Sequence, residues 1–196
     1  MDAITTSREA AEALARRSYG KLVAFLATRT RDVASAEDAI SEAFAAALKD
    51  WPLNGVPESP EAWLITVARR RAIDEVRRGR TAELSAAHVR LMSDELQHLS
   101  LGNAGETSIP DERLSLMFTC AHPAIEPVVR APLMLQSVLG FDAATIASAF
   151  LVSPATMSQR LVRAKNKIKQ AGIPFRIPER DELPARLAAS HSGERP

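Results

Sequence analysis

Residues 141–169 constrain this chain more than any other stretch, because they carry the start and stop signals of two short helices joined by a tight turn. Asp142 is placed to N-cap the first of them, and Ile146, Ala147 and Phe150 give it one apolar face. Ser153 is placed to cap the second, with Pro154 at the first helical position, where a missing N–H costs nothing. Met157, Leu161, Ala164 and Ile168 recur at helical spacing and predict the packed side of that helix. Ser158, Gln159, Arg160, Val162, Arg163, Lys165 and Lys169 are left to face water, and the helix holds five basic residues and no acidic one. This is the layout of a helix-turn-helix whose second helix enters a major groove, so the residues predict a chain that binds DNA.

The remaining sequence predicts an all-α chain of two small helical domains joined by an acidic, flexible linker. In residues 8–80, Leu14, Leu22, Val23, Phe25 and Leu26 supply the apolar positions of a first helix or pair of helices. Ser35 is expected to open the next, with Asp38 three residues on, and Ile40, Phe44 and Leu48 repeat along it until Trp51 and Pro52. A loop at 52–60 follows, after which Ser59 and Pro60 open a long helix that runs to about Arg78. Residues 81–110 read as the linker, with a short helix around residues 86–96. From Glu83 to Glu112 six acids face one arginine, a net charge of −5. Residues 111–171 form the second helical unit, and residues 172–196, with four prolines, read as an extended, partly disordered tail.

The formal net charge of +1 looks low for a nucleic-acid binder, but charge is segregated along the chain. Residues 69–80 hold six arginines in twelve positions. Arg70, Asp74, Arg77 and Arg78 share one helical face, with Ile65, Ala68, Ala72 and Val76 opposite, so the arginines read either as a phosphate-binding ridge or as a solvated face paired with Asp74. Trp63 lies on the ridge side near Asn54, where an aromatic ring can stack on an unpaired base, although core packing is the commoner fate of a tryptophan. Glu37, Asp38, Ser41 and Glu42 make an acidic patch on the preceding helix. Glu37 and Asp38 are explained by the macrodipole, whereas Glu42 lies beyond the first turn and suits a basic protein partner.

Other classes of function find less support. Cys120 and His122 are two apart and diverge on a helix, and His88 and His98 lie in the acidic segment without ligand spacing, so no enzyme, metal or cofactor is expected. The lone cysteine excludes an internal disulfide, and neither a membrane span nor a signal peptide is legible, so the expected location is cytoplasmic. A stand-alone helix-turn-helix regulator of duplex DNA is one reading of the basic helix, and would need a dimerisation element or an effector domain.

Three segments in register resemble bacterial RNA polymerase sigma factors of the extracytoplasmic-function group. Residues 36–44 (AEDAISEAF) are similar to that family's helix for the clamp coiled coil of the largest polymerase subunit. Residues 59–78 (SPEAWLITVARRRAIDEVRR) resemble the helix that reads and melts the −10 element, and residues 153–165 (SPATMSQRLVRAK) the −35 recognition helix. Residues 111–123 (DERLSLMFTCAHP) further resemble a subgroup that usually carries a C-terminal helical-repeat extension, and this chain stops soon after the point where that extension would begin.

The resemblance implies a region 2 bundle at 8–80 and a region 4 helix-turn-helix at 111–171. It implies core-polymerase contacts at Glu37, Asp38, Ser41 and Glu42, and −10 contacts at Asn54, Trp63, Arg70, Arg71, Asp74, Arg77 and Arg78. It implies −35 contacts at Thr156, Ser158, Gln159, Arg160, Arg163, Lys165 and Lys167. The implied partners are the polymerase clamp and flap and promoter DNA, with an anti-sigma protein or the chain's own linker and tail as candidate regulators. Two positions depart from the family pattern. Leu151 stands where glycine is usual in the turn, and Ser158 where many relatives place an arginine, which shifts base reading toward Gln159, Arg160 and Arg163.

Overall fold

The computed structural model describes residues 3–78 and 109–183, and side chains within them from 5 to 72 and from 109 to 183. Among the described residues there are seven helices and no strand. The expected short helix at 86–96 lies outside them.

The first helix, α1, is a single rod, Ala3–Thr30, rather than a pair. Leu14, Leu22, Val23, Phe25 and Leu26 are all buried on it, as the apolar spacing predicts. It stops at Arg31, whose φ of 53° sends the chain out of the helix. Asp32 then caps α2, Val33–Asn54, by accepting the Ser35 backbone N–H at 3.1 Å. The cap is therefore Asp32 and not Ser35, whose own hydroxyl donates to the Asp32 carboxylate at 3.0 Å. The aspartate can serve the orphan N–H and the serine together, so it takes the cap position.

The packed stripe of α2 also differs from the expected one. Leu48 is half exposed, while Ala36, Ala39, Ile40, Ala43, Ala47 and Trp51 are buried. Four alanines share this buried stripe with Ile40 and Trp51, while Leu48 falls outside it. α2 carries Pro52 in its last turn and reaches Asn54, which shortens the expected loop to residues 55–59. In α3, Pro60–Arg78, the buried positions Leu64, Ile65, Ala68 and Ala72 face this stripe. Glu61 ties α3 to α1 by accepting from Ser18 and, at 2.8 Å, from Lys21.

The second unit holds α4 (Arg113–Cys120), α5 (Pro127–Ser137), α6 (Ala143–Ala149) and α7 (Pro154–Gln170). Its centre is Leu116, Cys120, Ile125, Leu133, Ile146, Met157, Leu161 and Ile168, all nearly inaccessible. Full burial of each such side chain contributes about 1.5–3 kcal/mol before chain entropy is counted. Arg130 is buried too, and donates to the carbonyls of Ile125 at 2.9 Å and Pro123 at 3.2 Å, which fixes the turn ahead of α5. The start of the expected tail is docked rather than loose. Ile173 is buried, and the Pro174 carbonyl accepts from Thr119 of α4 at 3.1 Å.

The two units pack on each other. α1 lies against α4 and α5, and α2 against α7. Gly20 of α1 sits against the backbone of Val138, where an added Cβ would lie 1.7 Å from the carbonyl oxygen. No residue but glycine fits that contact as it stands.

Candidate nucleic-acid interface

The helix-turn-helix is built as its caps predict. The Asp142 carboxylate accepts the backbone N–H groups of Ala144 and Thr145, each at 2.9 Å, and opens α6. The hydrogen bond from the Thr145 hydroxyl, followed by that from its backbone N–H, holds the Asp142 carboxyl below its ordinary range. Ser153 accepts the Thr156 N–H at 3.1 Å and opens α7 behind Pro154. Between the helices the Val152 N–H reaches the Ala147 carbonyl at 3.0 Å, and the Leu151 N–H reaches that of Ser148 at 3.3 Å. This paired closure puts Leu151 at the left-handed position, with φ 54° and 93% of its surface exposed. Phe150, expected on the packed face of α6, is instead part-exposed at its C-terminal cap.

On α7, Met157, Leu161, Ala164 and Ile168 are buried as expected. Ser158, Gln159, Val162, Arg163 and Lys167 are exposed, while Thr156 and Arg160 are half-buried. Arg160, Arg163 and Lys167 line a cleft of about 210 Å³ whose opposite wall is Ala124, Ile125, Glu126 and Val129, at the start of α5. Three cations thus stand against one acid, Glu126, along this cleft.

Lys165 overturns the expectation that it faces water. It is 8% exposed, and its ammonium donates to the Glu37 carboxylate and, at 2.6 Å, to Gln136 Oε1. Glu37 is likewise 8% exposed, so of the four acidic-patch residues only Asp38, Ser41 and Glu42 are open. The other Glu37 oxygen accepts from Ser137 of α5 at 2.6 Å. A signal for both burials is present in the chain. Glu37 lies in helical phase with Val33 and Ile40, and Lys165 with Leu161 and Ile168, so each charge interrupts an apolar stripe.

The residues expected at the −10 element spread over the end of α2 and the length of α3. Arg70 and Arg71 are exposed, and Arg71 approaches the exposed Glu42 at 3.4 Å. Asp74, Arg77 and Arg78 continue α3, with side chains outside the described set. Asn54 ends α2 exposed and donates to Asp50 at 2.8 Å. Trp63 is half-buried, its ring edge-on to the buried Trp51 at 5.6 Å, so part of the ring packs and part remains open.

Cys120 closes α4 with its thiol buried, and burial first, then the Glu37 carboxylate, pushes it up to about 12 against the opposing pull of Lys165. A thiol held protonated in this way is a poor nucleophile. His122 lies in the following turn and accepts from the Ala124 N–H at 3.1 Å. Among the described residues no group of His, Cys, Asp and Glu side chains is placed to hold a metal ion, and no helix is long and apolar enough to cross a membrane.

The chain is 40% identical over 161 residues to an uncharacterized protein of Rhizobium meliloti (strain 1021). The aligned stretch is 81% of this chain but 38% of that relative's length. No solved structure matches the chain. Residues 14–81, the bundle of α1 to α3 from Leu14 onward, match the family model of Sigma-70 region 2. The first helical unit is thus similar to Sigma-70 region 2.

Proposed function

We propose that this chain is a promoter-specificity subunit of bacterial RNA polymerase, of the extracytoplasmic-function group, that recognises a −35 duplex and a melted −10 element. The observation that carries the reading is the pairing, in one chain, of a Sigma-70 region 2 bundle with a capped helix-turn-helix whose second helix is basic. Its role is binding and recognition rather than bond-making chemistry.

In this reading α7 lies in the major groove. Arg160 or Arg163 bonds guanine O6 and N7, and Gln159 pairs with adenine; each good bidentate contact gives about 1–3 kcal/mol of discrimination. Lys167 addresses phosphate, which sets affinity and salt dependence without reading sequence. At the −10 element the open edge of Trp63, Asn54 and the arginines from Arg70 onward hold single-stranded DNA. Extruding a base costs a few kcal/mol, which captured-base and polymerase contacts must offset. Asp38, Ser41 and Glu42 form the open part of the face offered to the basic clamp.

Run-off transcription with purified core on genomic fragments tests the reading. Discrete start sites that depend on this chain are the expected result. Tight, sequence-specific gel shifts that need no core, together with an absence of chain-dependent transcripts, would favour a stand-alone regulator.

A further inference from the structure

We propose that Val162 is a base-reading residue of α7, and that it recognises the C5-methyl group of a thymine in the −35 duplex. This rests on the major-groove reading of α7 above and adds to it a contact of a different chemistry. α7 buries Met157, Leu161, Ala164 and Ile168 against its neighbours. At about 100° per residue, the middle of the opposite face falls on Gln159, Arg163 and Asn166, all of them exposed. Val162 stands on that face, next to Arg163, three residues after Gln159 and four before Asn166. It is 57% exposed, and it is the one large apolar side chain of α7 left open to water. Ser158, one turn earlier, is exposed and short, and leaves the valine open.

Val162 contributes little to the fold. Exposed as it is, it adds little to the core, and a β-branched residue is a poorer helix former than lysine, glutamine or arginine. Its chemistry does fit a major groove. Thymine alone of the four bases presents a methyl group on that edge. Gln159 and Arg163 bond to the donors and acceptors of base edges and are blind to that methyl, whereas an apolar side chain packs on it and excludes water. Three residues of helix rise by about 4.5 Å and successive base pairs by about 3.4 Å. The thymine read by Val162 therefore lies one or two base pairs from the adenine that Gln159 reads.

Replacing thymine by deoxyuridine removes that methyl group and nothing else, so the contact can be tested at the level of one carbon atom. Target duplexes are first selected from a random pool by the full-length chain, with and without purified core polymerase. Each thymine of the selected −35 sequence is then replaced by deoxyuridine in turn, and binding is measured by competition. For the wild type, a single position should lose about fourfold, the factor carried by one buried methyl group. Val162→Ala should bind the thymine duplex about as weakly as the wild type binds the deoxyuridine one, and should be indifferent to the replacement. The residue is exposed and alanine favours the helix, so the variant keeps its fold. Arg163→Ala should bind more weakly on every duplex yet retain the deoxyuridine loss. A wild-type chain indifferent to every replacement, a selected sequence without thymine, or a loss that persists unchanged in Val162→Ala would overturn the proposal. Selection that succeeds only without core would remove the polymerase assignment, and the same deoxyuridine series then decides Val162 on that duplex. Failure to select any duplex would remove sequence reading and Val162 together.

Discussion

Lys169 places its ammonium 2.6 Å from the Asp32 carboxylate, and that carboxylate also accepts the Ser35 N–H that starts α2. One side chain thus serves as helix cap and as contact between units. Burial alone would push the Asp32 carboxyl up, but hydrogen bonds from Lys169 and Ser35 outweigh it and hold the group below its usual value. Lys169 is mostly exposed, so the ion pair itself is worth little, and the cap dominates at about 1 kcal/mol. Asp32→Ala should lower stability by about 1–2 kcal/mol in urea denaturation at neutral pH. Because the folded pKa is depressed, this contribution is complete above the ordinary aspartate value of about 4 and is lost as pH falls through the lower folded value. The gap between wild type and variant should therefore close between pH 5 and the acid end of the titration, and a constant gap would refute the linkage.

Leu151→Gly should stabilise the helix-turn-helix. The left-handed backbone costs a residue with a Cβ about 1–2 kcal/mol, and glycine returns part of that relief as extra freedom in the unfolded chain. With 93% of Leu151 exposed, almost no packing is lost. The same closure recurs after α7, where Ile173 bonds back to Ile168 at 3.1 Å and the left-handed position, φ 59°, is Gly172. A net gain of about 0.5–1 kcal/mol should appear as a melting temperature raised by a few degrees. A lowered melting temperature would show that the leucine has a packing role.

Arg160 and Lys167 should separate reading from holding. Arg160→Ala should reduce binding to the cognate −35 duplex by roughly 5- to 150-fold and flatten the preference at one base pair. Lys167→Ala should weaken cognate and scrambled duplexes alike and reduce the salt slope by about one. Competition gel shifts over a salt series distinguish the two, and equal losses on all sequences for both variants would remove Arg160 from the base-reading set.

Asp38→Arg should leave folding unchanged, because the side chain is exposed on α2, and should weaken association with polymerase core by tenfold or more through like-charge contact. A pull-down with undiminished core would dismiss the open acidic face as the docking surface.

What the chain discloses in advance is its local chemistry. Asp142, Ser153 and Pro154 act on groups two or three residues away, so their roles are visible in the sequence alone. The left-handed leucine was not, because Leu151 stands out only against a family that usually places glycine there, and its strain argued for a different turn geometry, whereas the backbone keeps the left-handed one. The start of α2 was less legible because Asp32 and Ser35 are both good caps, and only the geometry ranks them. Leu48 misled because size suggested burial, whereas four of the buried positions on α2 are alanines that a hydrophobic count undervalues. Least legible was the partnership of Glu37 with Ser137 and Lys165, residues 100 and 128 positions further along the chain. The phase of each charge within an apolar stripe hints at burial, but nothing local names the partner.

The seat at Gly20 also bears on how such a chain can change over generations. A contact between charged side chains admits intermediate strengths, since a lysine can shorten its reach or a neighbour can compete for its carboxylate. Backbone against backbone admits none, because every other amino acid begins with the same Cβ atom and meets the Val138 carbonyl at the same place. Inheritance at position 20 is therefore close to binary, and gradual adjustment of how the two units dock is left to Ser137, Lys165 and Lys169.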